Sequence, residues 1–234
     1  MRGSGAVHDG LLVLLWAAIF AGGLGVCLWL AARGMPRTYV RDVLHVGAGV
    51  WPLGWTVWES PWPPMGVAAL GFALLVTVPV LGRRLSAARS LERAVSGEGE
   101  AWAGLVLYGL SAAVFTAVGL LGKSPFPPAA ALLALALGDG FGGLVGRLRG
   151  RHRYRVPWAK TKSVEGTLVV AAFAALGTAI AGAAFGVPVS VGRLVGAGVA
   201  AAVAESVAPR ATDNLLVPLA VWLALGGLES AGAP

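Results

Sequence analysis

Apolar residues in this chain gather into eight runs, at 11–32, 40–58, 65–82, 101–121, 127–146, 166–186, 190–207 and 215–228, separated by short polar stretches. Most of them approach the ~20 apolar residues that a transmembrane helix needs. Hydrocarbon leaves backbone polar groups no partner but each other, so repeated runs of this kind predict helices. The expected fold is an all-α, polytopic membrane helix bundle of about eight transmembrane helices. Seven are expected if the last run, which is short and contains Pro218, is kinked or only partly inserted. The whole of 1–234 reads as a single integral membrane domain, with its larger polar connections at 83–100 and 147–165.

Composition agrees with that pattern. Of the 234 residues 57% are hydrophobic and only 12% charged, about half the charged share of a soluble domain. The net charge of +7 does not call for nucleic acid, because the cations sit in short loops between apolar runs. All Lys and Arg except Arg2, Lys123 and Arg193 fall on one side if each run crosses once. By the positive-inside rule that side is cytoplasmic, both termini lie outside, and in a prokaryote the membrane is the cell membrane. The first run is too long for a signal-peptide core and has only Arg2 ahead of it, so no cleavable leader is expected. Cys27, the single cysteine, supports neither a disulfide framework nor a Cys metal site. Trp51, Trp55, Trp58 and Trp62 are placed as an interfacial aromatic belt would be. Within 83–100, Leu85, Ala88, Leu91 and Val95 recur at helical spacing and predict a short interfacial helix or a solvated linker. The proline-marked loops at 59–64 and 123–128 read as tight connections.

The chemistry concentrates in 138–166, GDGFGGLVGRLRGRHRYRVPWAKTKSVEG. Asp139 stands inside an apolar run, where a carboxylate costs ~3 kcal/mol unless paired or solvated. On a helix it shares a face with Gly142, Gly143 and Gly146. Those glycines permit either tight helix packing or approach of a metal or phosphate to bare backbone. Most arginines of 147–162 serve as topogenic charge. Lys160 and Lys162 differ because they abut the start of the sixth run, where Ser163 can cap a helix whose free N–H groups favour anions. Glu165 offsets the helix dipole or, alternatively, helps hold Mg²⁺ or orient Lys162. Glu205 and Asp213 fall at the same membrane level as Asp139, and Mg²⁺ with nucleotide phosphates takes one or two carboxylates. Asp213 alone would read as an N-cap before Asn214. Arg41 and His45 are i, i+4 neighbours able to face phosphates together, with Asp42 turned elsewhere or paired to Arg41. His8 and His152 carry no signal.

Taken in order, Arg41-Asp42-Val43-Leu44-His45, Gly138-Asp139-Gly140 with Gly143 and Gly146, Lys162-Ser163-Val164-Glu165-Gly166, Glu205-Ser206 and Asp213-Asn214-Leu215 with Val217-Pro218 resemble the CTP-dependent lipid-alcohol kinases. That family includes phytol kinase, dolichol (polyprenol) kinase and the CTP-dependent diacylglycerol kinase, and the phytol kinase branch looks nearest. The resemblance implies transfer of the γ-phosphate of CTP to a membrane-embedded lipid alcohol at the cytoplasmic face, with Mg²⁺. It implies catalytic roles for Asp139, Glu205, His45 and Lys162, and metal binding by Asp139, Asp213 and Glu205. Nucleotide contacts are implied for Arg41, Gly140, Gly143, Gly146, Lys160, Lys162, Ser163, Glu165, Gly166 and Asn214. The chain departs from the family at Asp42, where the usual residue is Lys, so one phosphate-binding cation is expected to be missing. Two other functions stay open: a membrane cytidylyltransferase acting on a lipid phosphate, and a non-enzymatic transporter or scaffold. Polar groups gathered at one end rather than at the midplane speak against the transporter. The expected partners are therefore a lipid alcohol, a nucleoside triphosphate and the bilayer, and no nucleic acid.

Overall fold

The computed structural model describes residues 2–82, 84–95, 101–156, 158 and 161–230; Arg83 and Lys160 lie outside the described residues. The chain is an all-α helical bundle. Its order is α1 (Arg2–Ala32), α2 (Arg37–Ala48), a 3₁₀ turn (Trp51–Val57), α3 (Trp62–Leu81), α4 (Ser86–Val95) and α5 (Ala101–Leu121). Then come α6 (Phe126–Ala134), a π-helical turn (Leu135–Asp139) and α7 (Gly140–Arg149), which form one continuous rod. A hairpin of β1 (Arg153–Arg155) and β2 (Thr161–Ser163) leads into α8 (Val164–Ala184), α9 (Val191–Val207), α10 (Asp213–Ala224) and α11 (Gly227–Ser230).

Among the described residues, five helices are long and apolar enough to cross a membrane: Gly5–Ala32, Trp62–Leu81, Trp102–Leu121, Phe126–Arg149 and Val164–Ala184. The expected run at 190–207 is the single helix α9, 17 residues long, whereas two other expected spans are broken. The run at 40–58 breaks into α2 and the 3₁₀ turn, because Pro52 lacks the N–H and crowds the carbonyl four residues back. The last run is also divided: α10 ends before Gly226, which adopts φ +80 and turns the chain into α11. Only glycine takes that left-handed geometry without strain. The 12 residues of α10 span ~18 Å, well short of the ~30 Å hydrocarbon layer.

The rod of α6 and α7 is the centre of the molecule. Every residue of α6 is buried, packed against α5, α8 and α10. Its alanines allow backbones to approach closely, which is how helices associate without a hydrophobic drive between them. By contrast α1 and α3 are peripheral, with Leu11, Leu15, Leu70 and Leu74 all more than half exposed. Apolar rows of this extent mark a surface made for lipid. Near the other end of the bundle, the buried Asp9 accepts the Glu59 and Ser60 amides at 3.0 and 3.1 Å, and His8 Nε2 meets the Val57 carbonyl at 2.9 Å. These contacts fasten α1 to the 59–64 loop.

The tryptophans correct the belt expectation. Trp51 and Trp55 are each 4% exposed and belong to the core. Trp51 donates to Thr116 Oγ1 at 2.9 Å, and its ring meets Trp16 edge-on at 4.9 Å. Of the four tryptophans at 51–62, Trp62 is 68% exposed, as a belt residue would be. The segment around 86–95 is helical, as its spacing predicts, and lies against α1, α2 and α3.

Gly177 tests the closeness of the α6–α8 contact. A Cβ there would meet the Leu133 carbonyl carbon at 2.7 Å and the Ala134 nitrogen at 2.9 Å, both backbone atoms that cannot turn aside. Gly177→Ala is therefore expected to cost about 1–3 kcal/mol by overpacking. The check is thermal unfolding of the detergent-solubilised protein against Gly71→Ala, where the new methyl meets nothing within 4 Å.

Candidate active site

Helix α2 carries Arg41, Asp42 and His45 toward the rod. His45 is 8% exposed; its Nε2 lies 3.4 Å from the Leu135 carbonyl oxygen and 3.7 Å from Asp139 Oδ2. The imidazole packs on the Tyr108 ring at 4.3 Å between centroids, and the Tyr108 hydroxyl donates to the His45 carbonyl at 3.1 Å. Tyr108 comes from α5. Nothing marks it in sequence beyond being a lone phenol in an apolar run.

The π turn sets the position of Asp139. A π turn inserts one residue into the helical repeat, and such bulges concentrate at functional sites. Here it shifts the register between α6 and α7, and it touches α2, α8, α9 and α10. Asp139 closes the turn, with 25% of its side chain exposed. The charges of Glu205, Lys162, Arg41 and Arg147 all act on it, and Asp213 acts on His45. Charged groups from α2, α7, the hairpin and α9 thus lie within electrostatic reach of Asp139, and one from α10 within reach of His45. The only sequence trace of the bulge is the glycine on either side of Asp139.

The hairpin is the second structure that sequence reading missed. Its strands pair Tyr154 with Lys162, so both side chains leave the same face. Lys162 forms an ion pair with Glu205, whose side chain is 9% exposed. Tyr154 reaches Thr167 Oγ1 at 2.5 Å and Ser206 Oγ at 2.9 Å, joining the hairpin to α8 and α9. Trp158, at φ 74, donates from its indole nitrogen to the Val207 carbonyl at 3.1 Å. The arginines of this loop conceal a built strand pair behind what looks like a simple topogenic cluster.

Ser163 caps α8, accepting the Gly166 amide at 3.1 Å. The Val164 amide donates to the His152 carbonyl at 2.9 Å, so these donors of the helix tip already have protein partners. Glu165 accepts the His152 amide at 3.2 Å and its Oε1 meets His152 Nδ1 at 2.7 Å. Its carboxylate braces the hairpin. The glycines divide by the neighbours they face. A Cβ on Gly142 would strike Val170, and one on Gly146 would come within 3.3 Å of Ser163 Oγ. Gly166 packs back on Gly142 and Gly146. These three glycines form the α7–α8 seam, the packing alternative. Gly140 faces Val46 of α2, while Gly143 has only Arg147 of its own helix nearby.

Asp42 pairs neither with Arg41 nor with solvent alone. It forms an ion pair with Arg147 of α7, whose guanidinium also lies 5.5 Å from the Tyr39 ring centroid. Asp213 is the first residue of α10 rather than its cap, which is Thr212. Its Oδ1 accepts both the backbone and side-chain amide nitrogens of Asn214 at 3.0 Å. Asn214 is 7% exposed and its Oδ1 is buried without a partner among the described residues. Among those residues, no three His, Cys, Asp or Glu side chains gather closely enough to hold a metal by themselves.

Fold and site together define a polytopic helical bundle with an ionisable cluster built around a bulge in its central helix. Among curated proteins, the chain is similar to a phytol kinase of Synechocystis sp., 35% identical over 140 residues. The match covers 58% of this chain and 54% of that protein, so the chain spans about half the length of the curated relative it matches. No family model matches, and no solved structure matches.

Proposed function

We propose that the chain is a membrane-embedded lipid-alcohol kinase that uses a nucleoside triphosphate, CTP on the family resemblance, at its basic, cytoplasmic end. One observation carries this reading: Asp139, held by the π turn against His45, lies within the field of Lys162, Arg41 and Arg147. An acid within electrostatic reach of several cations suits phosphoryl transfer, which asks a protein mainly for positioning and charge neutralisation. The similarity to a phytol kinase supports the same choice.

In this reading the alcohol oxygen forms a bond to the γ-phosphorus while the bond to the bridging oxygen breaks. The products are a lipid phosphate and a nucleoside diphosphate. Lys162 and Arg41 bind the phosphates. Drawing Lys162 toward them frees the Glu205 carboxylate, and either Glu205 or Asp139 accepts the alcohol proton. His45 is a positioning residue that holds Asp139 from the inner side.

Asp139 keeps 25% of its side chain exposed and stands 3.7 Å from His45 Nε2, and a carboxylate so placed suits a hard cation. Asp139 would hold Mg²⁺ with Asp213 or Glu205, the remaining ligands being phosphate and water. When bound, the ion neutralises charge on the phosphate oxygens. The test is product analysis with purified protein, CTP and a panel of lipid alcohols. Release of CDP with a lipid phosphate is expected; release of pyrophosphate would make the protein a cytidylyltransferase instead. Substrate flux without nucleotide would favour a transporter.

A further inference from the structure

We infer that the cleft between α1 and α7, running along α2, seats the hydrocarbon chain of a single-chain lipid alcohol and delivers its hydroxyl at Asp42. The inference rests on the kinase reading for its purpose, and its geometry stands apart from it. The cleft has a volume of about 530 Å³, within the ~300–1,000 Å³ of ligand pockets. Its walls come from Trp29 at the end of α1, Met35 and Pro36 in the turn, Tyr39 and Val43 on α2, and Leu144 on α7. Helix α2 packs against both α1 and α7, so it forms the floor. Trp29 and Val43 are 52% and 43% exposed, an apolar lining that aqueous solvent alone would not favour.

Two features select the occupant. The first is charge. At the inner end Asp42 is neutralised by Arg147, and Arg33 stands at the rim over Trp29, 4.5 Å from the ring centroid. An uncharged hydroxyl, both donor and acceptor, fits beside an ion pair that retains free lone pairs. The second is continuity. Asp42 lies one helical turn from His45, and the charges of Asp139 and His45 both act on it. A hydroxyl at Asp42 therefore sits at the edge of the candidate phosphoryl site, while its chain trails along Val43 and Leu144 toward lipid. The residue that departs from the family pattern thus lines the acceptor side, and Arg147 on α7 supplies a cation beside it.

The test has two arms. In the first, a long-chain alcohol bearing a diazirine on its chain is photolysed with the full-length protein in detergent, without nucleotide, and labelled peptides are identified by mass spectrometry. Labelling within 29–43 and at Leu144, displaced by unlabelled alcohol, is expected; displaceable labelling confined to other helices overturns the inference. In the second, Leu144→Trp is compared with Leu70→Trp on the lipid-facing side of α3. Leu144→Trp should raise KM for the long alcohol about tenfold or more, the scale on which pocket contacts with methylenes discriminate substrates. Leu70→Trp should leave KM for the long alcohol and turnover of a short water-soluble alcohol unchanged. Equal KM values for the long alcohol in wild type and Leu144→Trp would overturn the assignment. If no alcohol is phosphorylated but the cleft is specifically labelled, the binding site stands and the kinase reading fails.

Discussion

Replacing Asp139 by alanine is expected to abolish phosphate transfer while leaving the protein inserted, folded and at least as stable as wild type. The two halves of that expectation come from different physics. Removing a preorganised charge from a reacting centre typically costs about a hundred- to thousand-fold in turnover, and Asp139 lies within electrostatic reach of Lys162, Arg41 and Arg147. Keeping a carboxylate inside a membrane span is costly, by ~3 kcal/mol on insertion scales. A residue retained for structure would destabilise on removal, whereas one retained for chemistry should not. Thermal unfolding and product formation measured on the same preparation check both halves. A large fall in unfolding temperature with Asp139→Ala would make this acid a structural element.

The second large effect concerns Lys162 and Glu205. Their side chains are 19% and 9% exposed, so removing one strands the other. Lys162→Ala should cost about 3–5 kcal/mol, as breaking a buried ion pair does. Replacing both, as Lys162→Met with Glu205→Leu, should restore stability to near the wild-type level, because apolar groups of similar volume pack where the pair was. The double variant should still be inactive, because neither the phosphate-binding ammonium nor the carboxylate remains. Recovery of activity along with stability would confine the pair to a structural role in docking the hairpin on α9.

What could be read in the sequence follows from what each signal reports. Hydropathy reports burial in lipid, so α3, α5, α8 and the Phe126–Arg149 rod were legible at nearly their observed bounds, while α1 starts at Arg2, well before the apolar run at 11–32. Hydropathy does not report backbone register. It therefore gave no hint that one turn of that rod is wound as a π helix, or that the run at 40–58 breaks before Pro52. Asp139 stood out because its cost inside an apolar run is large, and the same reasoning could not reach Tyr108, whose hydroxyl is inexpensive to bury once bonded to the His45 carbonyl.

Charge was harder to interpret. Arginines near a membrane end are explained by topology alone, and that explanation hid the partnership of Arg147 with Asp42 and the strand pair that carries Lys162 to Glu205. Glu165 and Ser163 were singled out by position at a helix start. The structure uses both within the protein, one bracing His152 and the other capping α8. The indoles of Trp51 and Trp55 read as interfacial because aromatic belts are common, yet depth along a span says nothing about which way a side chain turns.

All of these arrangements serve one claim, that the acid at the bulge and the lysine on the hairpin act on the same phosphate. Transfer of label from γ-³²P-CTP tests it most directly, using purified protein, Mg²⁺ and a long-chain alcohol in mixed micelles. Wild type should place the label in the lipid phosphate, and Asp139→Asn and the Lys162→Met, Glu205→Leu double variant should not. Label that stays in the nucleotide or pyrophosphate with wild type, or that reaches the lipid equally well with Asp139→Asn, would contradict the account.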